Sequence, residues 1–168
     1  MEEILIVDGY NIIGALQEEG KRLEALADAR QWLVDRLADY QGYTGVNVYV
    51  VFDAHYAPGP GQELLERGVK IIFTKEKESA DERIEKLVRQ LKKEERRIVV
   101  ATSDYTEQRL IFGGGALRQS ARELLQLLDQ VEREIHEKVE SLYQSQKTAP
   151  LPLKKDIAEI FEKWRREG

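Results

Sequence analysis

Four short runs of mostly branched apolar residues, Ile4–Val7, Val46–Phe52, Val69–Phe73 and Ile98–Ala101, restrict the fold of this chain more than any other feature. Each run is nearly continuous rather than alternating, as expected of strands covered on both faces. The segments between them have helical spacing. Leu23–Tyr40 carries Leu23, Leu26, Ala27, Leu33, Val34 and Leu37, and Ser79–Lys93 carries Ile84, Leu87, Val88 and Leu91. This alternation predicts an α/β fold with a parallel sheet and right-handed crossovers. Further along, the spacing predicts a short helix over Tyr105–Phe112, broken by Gly113-Gly114-Gly115, then a long helix from about Ser120 to Tyr143. Two prolines within Lys147–Pro152 end that helix. A last helix, Lys154–Arg166, sets Ile157, Ile160, Phe161 and Trp164 on one docking face. Residues 1–146 are thus expected to form the main domain, with 147–168 a linker and docking helix of the same structural unit.

A chain of 168 residues with 42% hydrophobic and 34% charged side chains fits one domain with a substantial core. The lack of cysteine excludes disulfides and thiolate metal sites. A net charge of −5 argues against coating nucleic acid by bulk electrostatics, yet it allows a nucleic-acid enzyme whose metal-binding carboxylates add negative charge. No basic segment leads into an apolar stretch near the start, and no apolar run is long enough to span a bilayer. The expectation is an unprocessed cytoplasmic protein without a membrane partner.

Polar residues fall where each run ends. The first stops at Asp8, the second at Asp53, the third at Thr74 and the fourth at Thr102-Ser103-Asp104. In open parallel sheets, sites form in the crevice outside the carboxyl ends of the strands. Asp8, Asp53 and Asp104 are therefore expected at one edge, and Asp81, opening the helix after the third strand, reaches the same edge. Gathered carboxylates repel one another. Since only Lys75 and Lys77 lie near these ends, a divalent cation is the natural compensation, and oxygen-only donors favour Mg²⁺ or Mn²⁺ over zinc. Taken singly, each aspartate has a plainer reading: Asp53 as a turn former or helix cap, Asp81 as a favourable charge at a helix start.

The blocks IVDGYNII, VVFDA, FTKEKESADERIE, VVATSD with Gln108, and GALRQSARELL follow one another from Ile4 to Leu125. In that order they resemble the NYN branch of PIN-like ribonucleases, and most closely the YacP-like family. The resemblance implies a PIN-like fold with a central parallel sheet flanked by helices, and a metal-dependent acidic centre that cleaves RNA endonucleolytically. It also implies association with translating ribosomes and mRNA decay. By position, Asp8, Asn11, Asp81 and Asp104 stand at the family's active-site stations, with Asp8, Asp81 and Asp104 as metal ligands. Glu82-Arg83 departs from the smaller or aromatic residues expected after Ala80-Asp81. Asn11 cannot act as a base; it orients a ligand water or a substrate oxygen. Asp53, Thr74 and Ser103 are second-rank candidates supporting that shell.

Tyr10 and Tyr105 flank the acidic positions, either stacking on an unpaired base or packing in the core. Arg118 and Arg122, four apart on one expected helical face, grip RNA phosphate or pair with Glu123. The triple glycine has neither GxGxxG nor a following Gly-Lys-Ser/Thr, so no nucleotide cofactor is expected. His55 and His136 have no ligand spacing around them. An aspartyl phosphotransferase would need a second Asp where Tyr10 stands. A non-catalytic RNA- or ribosome-binding module remains the alternative function.

Overall fold

The computed structural model describes residues 2–18, 25–54, 60–103, 115–148, 163 and 165–166. The elements run β1 (Glu2–Asp8), α1 (Gly9–Glu18), α2 (Leu26–Thr44), β2 (Asn47–Phe52), β3 (Gln62–Glu66), β4 (Val69–Phe73), α3 (Ala80–Leu91), β5 (Arg96–Ala101), β6 (Leu117–Gln119) and α4 (Ala121–Thr148). Six strands form one sheet in the order β3-β4-β2-β1-β5-β6. All pairings are parallel except the β3–β4 hairpin. The expected α/β architecture with a central, mainly parallel sheet and flanking helices is present.

β1 lies between β2 and β5, and Ile4, Leu5, Ile6 and Val7 are each at most 3% exposed. Burial on both faces explains the continuous apolar run. Alternation along the strands divides the core in two. Leu5, Val7, Val50 and Phe52 pack with α1, α2 and the start of α4. Ile4, Ile6, Val51, Ile72 and Val100 pack instead with Ile84, Leu87 and Val88 of α3.

Three elements were not expected from the pattern. α1 contains two glycines and has weak local propensity. It forms because Ile12, Ile13 and Leu16 reach the core at 0%, 3% and 1% exposure. β3 reads Gln-Glu-Leu-Leu-Glu and is mostly exposed, so it carries no buried-strand signal. Its turn holds Arg67 at φ 49° and Gly68 at φ 88°, the paired positive angles that suit a tight hairpin. β6 has only three residues and joins β5 in parallel at the far edge. This corrects one expectation: Arg118 lies in β6 and Arg122 in α4, so they do not share a helical face. The tertiary offer of an open strand edge outweighed the helical spacing there.

The chain divides into two compact units, 1–132 and 133–168, with the boundary inside α4. In the second unit, Val139, Leu142 and Tyr143 of α4 are 58–60% exposed. The helix expected over 105–112 lies outside the described residues, as does most of that expected over 154–166. No described helix is long and apolar enough to cross a membrane.

Candidate active site at the carboxyl edge of the sheet

Asp8 is the last residue of the central strand and is 8% exposed. It continues the side of β1 that carries Ile4 and Ile6, which faces α3. The buried Thr102 hydroxyl, just past β5, approaches the Asp8 carboxylate at 3.4 Å. Thr102 was visible in the sequence only as part of VVATSD. Its partnership with Asp8 follows from β1 and β5 lying side by side in register, Val7 opposite Ala101.

Gly9 starts α1 immediately after Asp8, under the ring of Phe52. A Cβ at position 9 would stand 2.3 Å from Phe52 Cε1, closer than atoms can approach. Glycine is thus required by the close passage of strand into helix beneath an aromatic ring. Two residues on, the Asn11 side-chain oxygen accepts a hydrogen bond from the Ser103 backbone N–H at 2.8 Å. Ser103 in turn accepts from the Ala121 N–H at 3.1 Å, tying the end of β5 to the start of α4. Ser120 caps that helix start: its hydroxyl accepts from the Glu123 N–H and donates to the Glu123 carboxylate. Glu123 is therefore engaged with Ser120.

The β2 and β4 ends are arranged differently. The Thr74 hydroxyl, 2% exposed, accepts from the Ala54 N–H at 2.7 Å, and the Thr74 N–H donates to the Phe52 carbonyl. The Asp53 carboxylate accepts from the Ala80 N–H at 3.2 Å, at the first turn of α3. Ser79 caps the same helix by accepting from the Glu82 N–H. Together they fix the turn that carries the half-buried Asp81. Just upstream, burial pushes the Glu78 carboxyl up, but the Lys86 ammonium at 2.6 Å and the nearby Arg83 hold it below the usual carboxylate range.

Asp8, Asn11, Asp53, Thr74 and Ser103 are thus gathered at the carboxyl edge of the sheet, beside the α3 turn that carries Asp81. Asp104 and Tyr105 lie outside the described residues. Tyr10 is half-buried, its ring 5.0 Å from Phe52, and its hydroxyl accepts from Arg30 at 3.1 Å. Arg118 and Arg122 are exposed beyond β5. Among the described residues, no three Asp, Glu or His side chains gather closely enough to hold a metal ion by themselves. The side-chain oxygens gathered at the edge, from carboxylates, a carboxamide and hydroxyls, are hard donors of the kind that suit Mg²⁺ or Mn²⁺. A cavity of about 280 Å³ lies elsewhere, where Leu16 at the far end of α1 meets Trp32 and Leu128.

Comparison with known proteins gives a consistent result. The YacP-like NYN domain family matches residues 5–166. The protein described as "Uncharacterized protein YacP" of Bacillus subtilis (strain 168) is 47% identical over 165 residues, covering 98% of this chain and 97% of its own. The crystal structure of Rae1 (YacP) from Bacillus subtilis matches at a TM-score of 0.75 and 48% identity, covering 97% of this chain and 94% of that one. A tryptophan-to-leucine variant of the same protein matches at a TM-score of 0.74 and 46% identity, covering 99% and 96%.

Proposed function

This chain belongs to the YacP-like NYN family, a nuclease-type family, and from that premise we propose that it is a metal-dependent endoribonuclease acting on mRNA at the ribosome in the cytoplasm. The observation that carries the reading is the β1–β5 junction. A carboxylate only 8% exposed ends the central strand, and Asn11 anchors the backbone one residue before Asp104.

In this reading Asp8, Asp81 and Asp104 hold one or two Mg²⁺ or Mn²⁺ ions. When bound, the metal lowers the pKa of a water and stabilises charge developing on phosphorus. The chain's own residues supply position. Thr102 restrains the Asp8 carboxylate. Asn11 uses its side-chain oxygen on Ser103, which leaves its NH₂ to donate to a ligand water or a substrate oxygen. Asp53, through Ala80, steadies the turn carrying Asp81. Thr74 and Ser103 spend their hydroxyls on backbone N–H groups, so their part is to hold strand ends and helix starts in place.

The test is cleavage of RNA by purified wild-type and Asp8→Asn protein, with and without translating ribosomes, in Mg²⁺, Mn²⁺ or EDTA. Cleavage is expected from wild type with metal only. Persistence in EDTA would overturn the metal mechanism, and full activity of Asp8→Asn would remove Asp8 from the centre. No cleavage even on ribosomes, with binding retained, would favour the non-catalytic binding module.

A further inference from the structure

Arg30, in the first turns of α2, is half-buried among aromatic rings. Its guanidinium stands 5.9 Å from the centre of the Phe73 ring and donates to the Tyr10 hydroxyl at 3.1 Å. Phe73 stacks on Phe52 at 5.4 Å, and Phe52 lies over Gly9. The platform is thus built from residues adjoining the site: Tyr10 two positions after Asp8, Phe52 just before Asp53, Phe73 just before Thr74. It belongs to the α1–α2 side of the sheet, whereas Asp8 and Asp53 face α3.

Arg36, Arg67, Arg83, Arg89, Arg96 and Arg97 each face a carboxylate. Arg30 differs: among the described residues, its contacts are the Tyr10 hydroxyl and the Phe73 ring, and no carboxylate pairs with it. A partly desolvated guanidinium with no counter-charge among the described residues is costly in a chain otherwise rich in acids. One N–H is committed to Tyr10, and the remaining donors of the planar fork suit a phosphate.

We infer that Arg30 binds a backbone phosphate of the RNA as it crosses the carboxyl edge, next to the bond being cut. The contact rests on the nuclease reading for its substrate. It gives an acidic protein a fixed cation on the opposite side of the edge from Asp8. Tyr10 accordingly acts by aiming Arg30, with one side of its own ring packed on Phe52.

The test uses the full chain carrying Asp8→Asn, so that RNA survives, and follows binding of labelled single-stranded RNA across a series of KCl concentrations. Adding Arg30→Gln is expected to weaken binding about tenfold. It should also make the salt slope shallower by about 0.7, the share of one single-strand phosphate contact. Adding Arg30→Lys should restore the slope but only part of the affinity, because a point charge replaces a fork. Melting temperatures of all three should agree. In the Asp8-intact chain, Arg30→Gln should raise KM with kcat little changed.

An unchanged affinity and slope in Arg30→Gln would overturn the inference. So would weaker binding that tracks a lowered melting temperature with the slope intact, and so would a chain that binds no RNA. Absence of cleavage by the Asp8-intact protein, with the Arg30 effect on binding present, would instead sink the endonuclease reading and leave the phosphate contact standing.

Discussion

Asp8 and Asp53 occupy matching places, each at the carboxyl end of a buried parallel strand, yet the fold uses them differently. Asp53 accepts the Ala80 N–H and so serves the start of α3. Asp8 sits deeper, 8% exposed between β2 and β5, with the Thr102 hydroxyl as a longer contact at 3.4 Å. Beside it, Asn11 accepts from Ser103 and Ser103 accepts from Ala121, which ties the end of β5 to α1 and α4. The difference teaches that matching strand-end positions can serve different neighbours: Asp53 joins its strand to the helix start of α3, whereas Asp8 meets the end of the adjacent strand β5.

The largest effect expected from breaking this contrast is in Asp8→Asn. RNA cleavage should fall by more than the ~100-fold that removing an outer partner of a metal ligand costs. The melting temperature should move little, since the amide fits the same space. If Asp53→Asn proved the more damaging to cleavage, the assignment of the two roles would be reversed. Next comes Asn11→Ala, which removes the acceptor for Ser103. A loss of roughly 10–100-fold in cleavage is expected, with the Mg²⁺ dependence of the rate shifted to higher concentration.

Gly9→Ala tests the approach of strand to helix. Its Cβ would collide with Phe52 at 2.3 Å, and overpacking of this kind costs about 1–3 kcal/mol in urea unfolding. Adding Phe52→Leu should recover part of that loss. Asp53→Ala should cost about 1 kcal/mol, as loss of a helix-cap acceptor does. For a chain of this size that is a fall of about 2–4 °C in melting temperature. Asp53→Asn keeps an acceptor and should cost less.

The smallest effect concerns Glu78, whose folded-state pKa lies below its ordinary value of 4.5. Its bond to Lys86 therefore adds stability above that value and loses it as the pH falls through the folded one. Screened by solvent, it is worth at most about 0.5 kcal/mol. Lys86→Gln should lower the melting temperature slightly at neutral pH, and the difference from wild type should shrink as the pH falls below the ordinary carboxylate value.

Several of these features were legible before folding. The four Val- and Ile-rich runs and the helical spacing between them specify a parallel sheet with helices on both faces, because burial on two sides imposes that pattern locally. In such a sheet all carboxyl ends share an edge, so Asp8, Asp53 and Thr74 had to converge there. The DGYN and SADER blocks resembled YacP-like members closely enough to indicate the family.

The tertiary structure decided the rest. α1 forms across two glycines because the core accepts Ile12, Ile13 and Leu16. β3 and β6 exist because the sheet had open edges to offer, and that separated Arg118 from the helix of Arg122. The contacts at the strand ends also depend on partners far along the chain. Thr102 is 94 residues from Asp8, and Ser103 is 92 from Asn11. Arg30 carries no local sign at all; its contacts, Tyr10 and Phe73, come from two other segments of the chain. Hydrophobic period is written residue by residue, whereas a hydrogen-bond partner or an aromatic platform exists only once strands distant in sequence lie side by side.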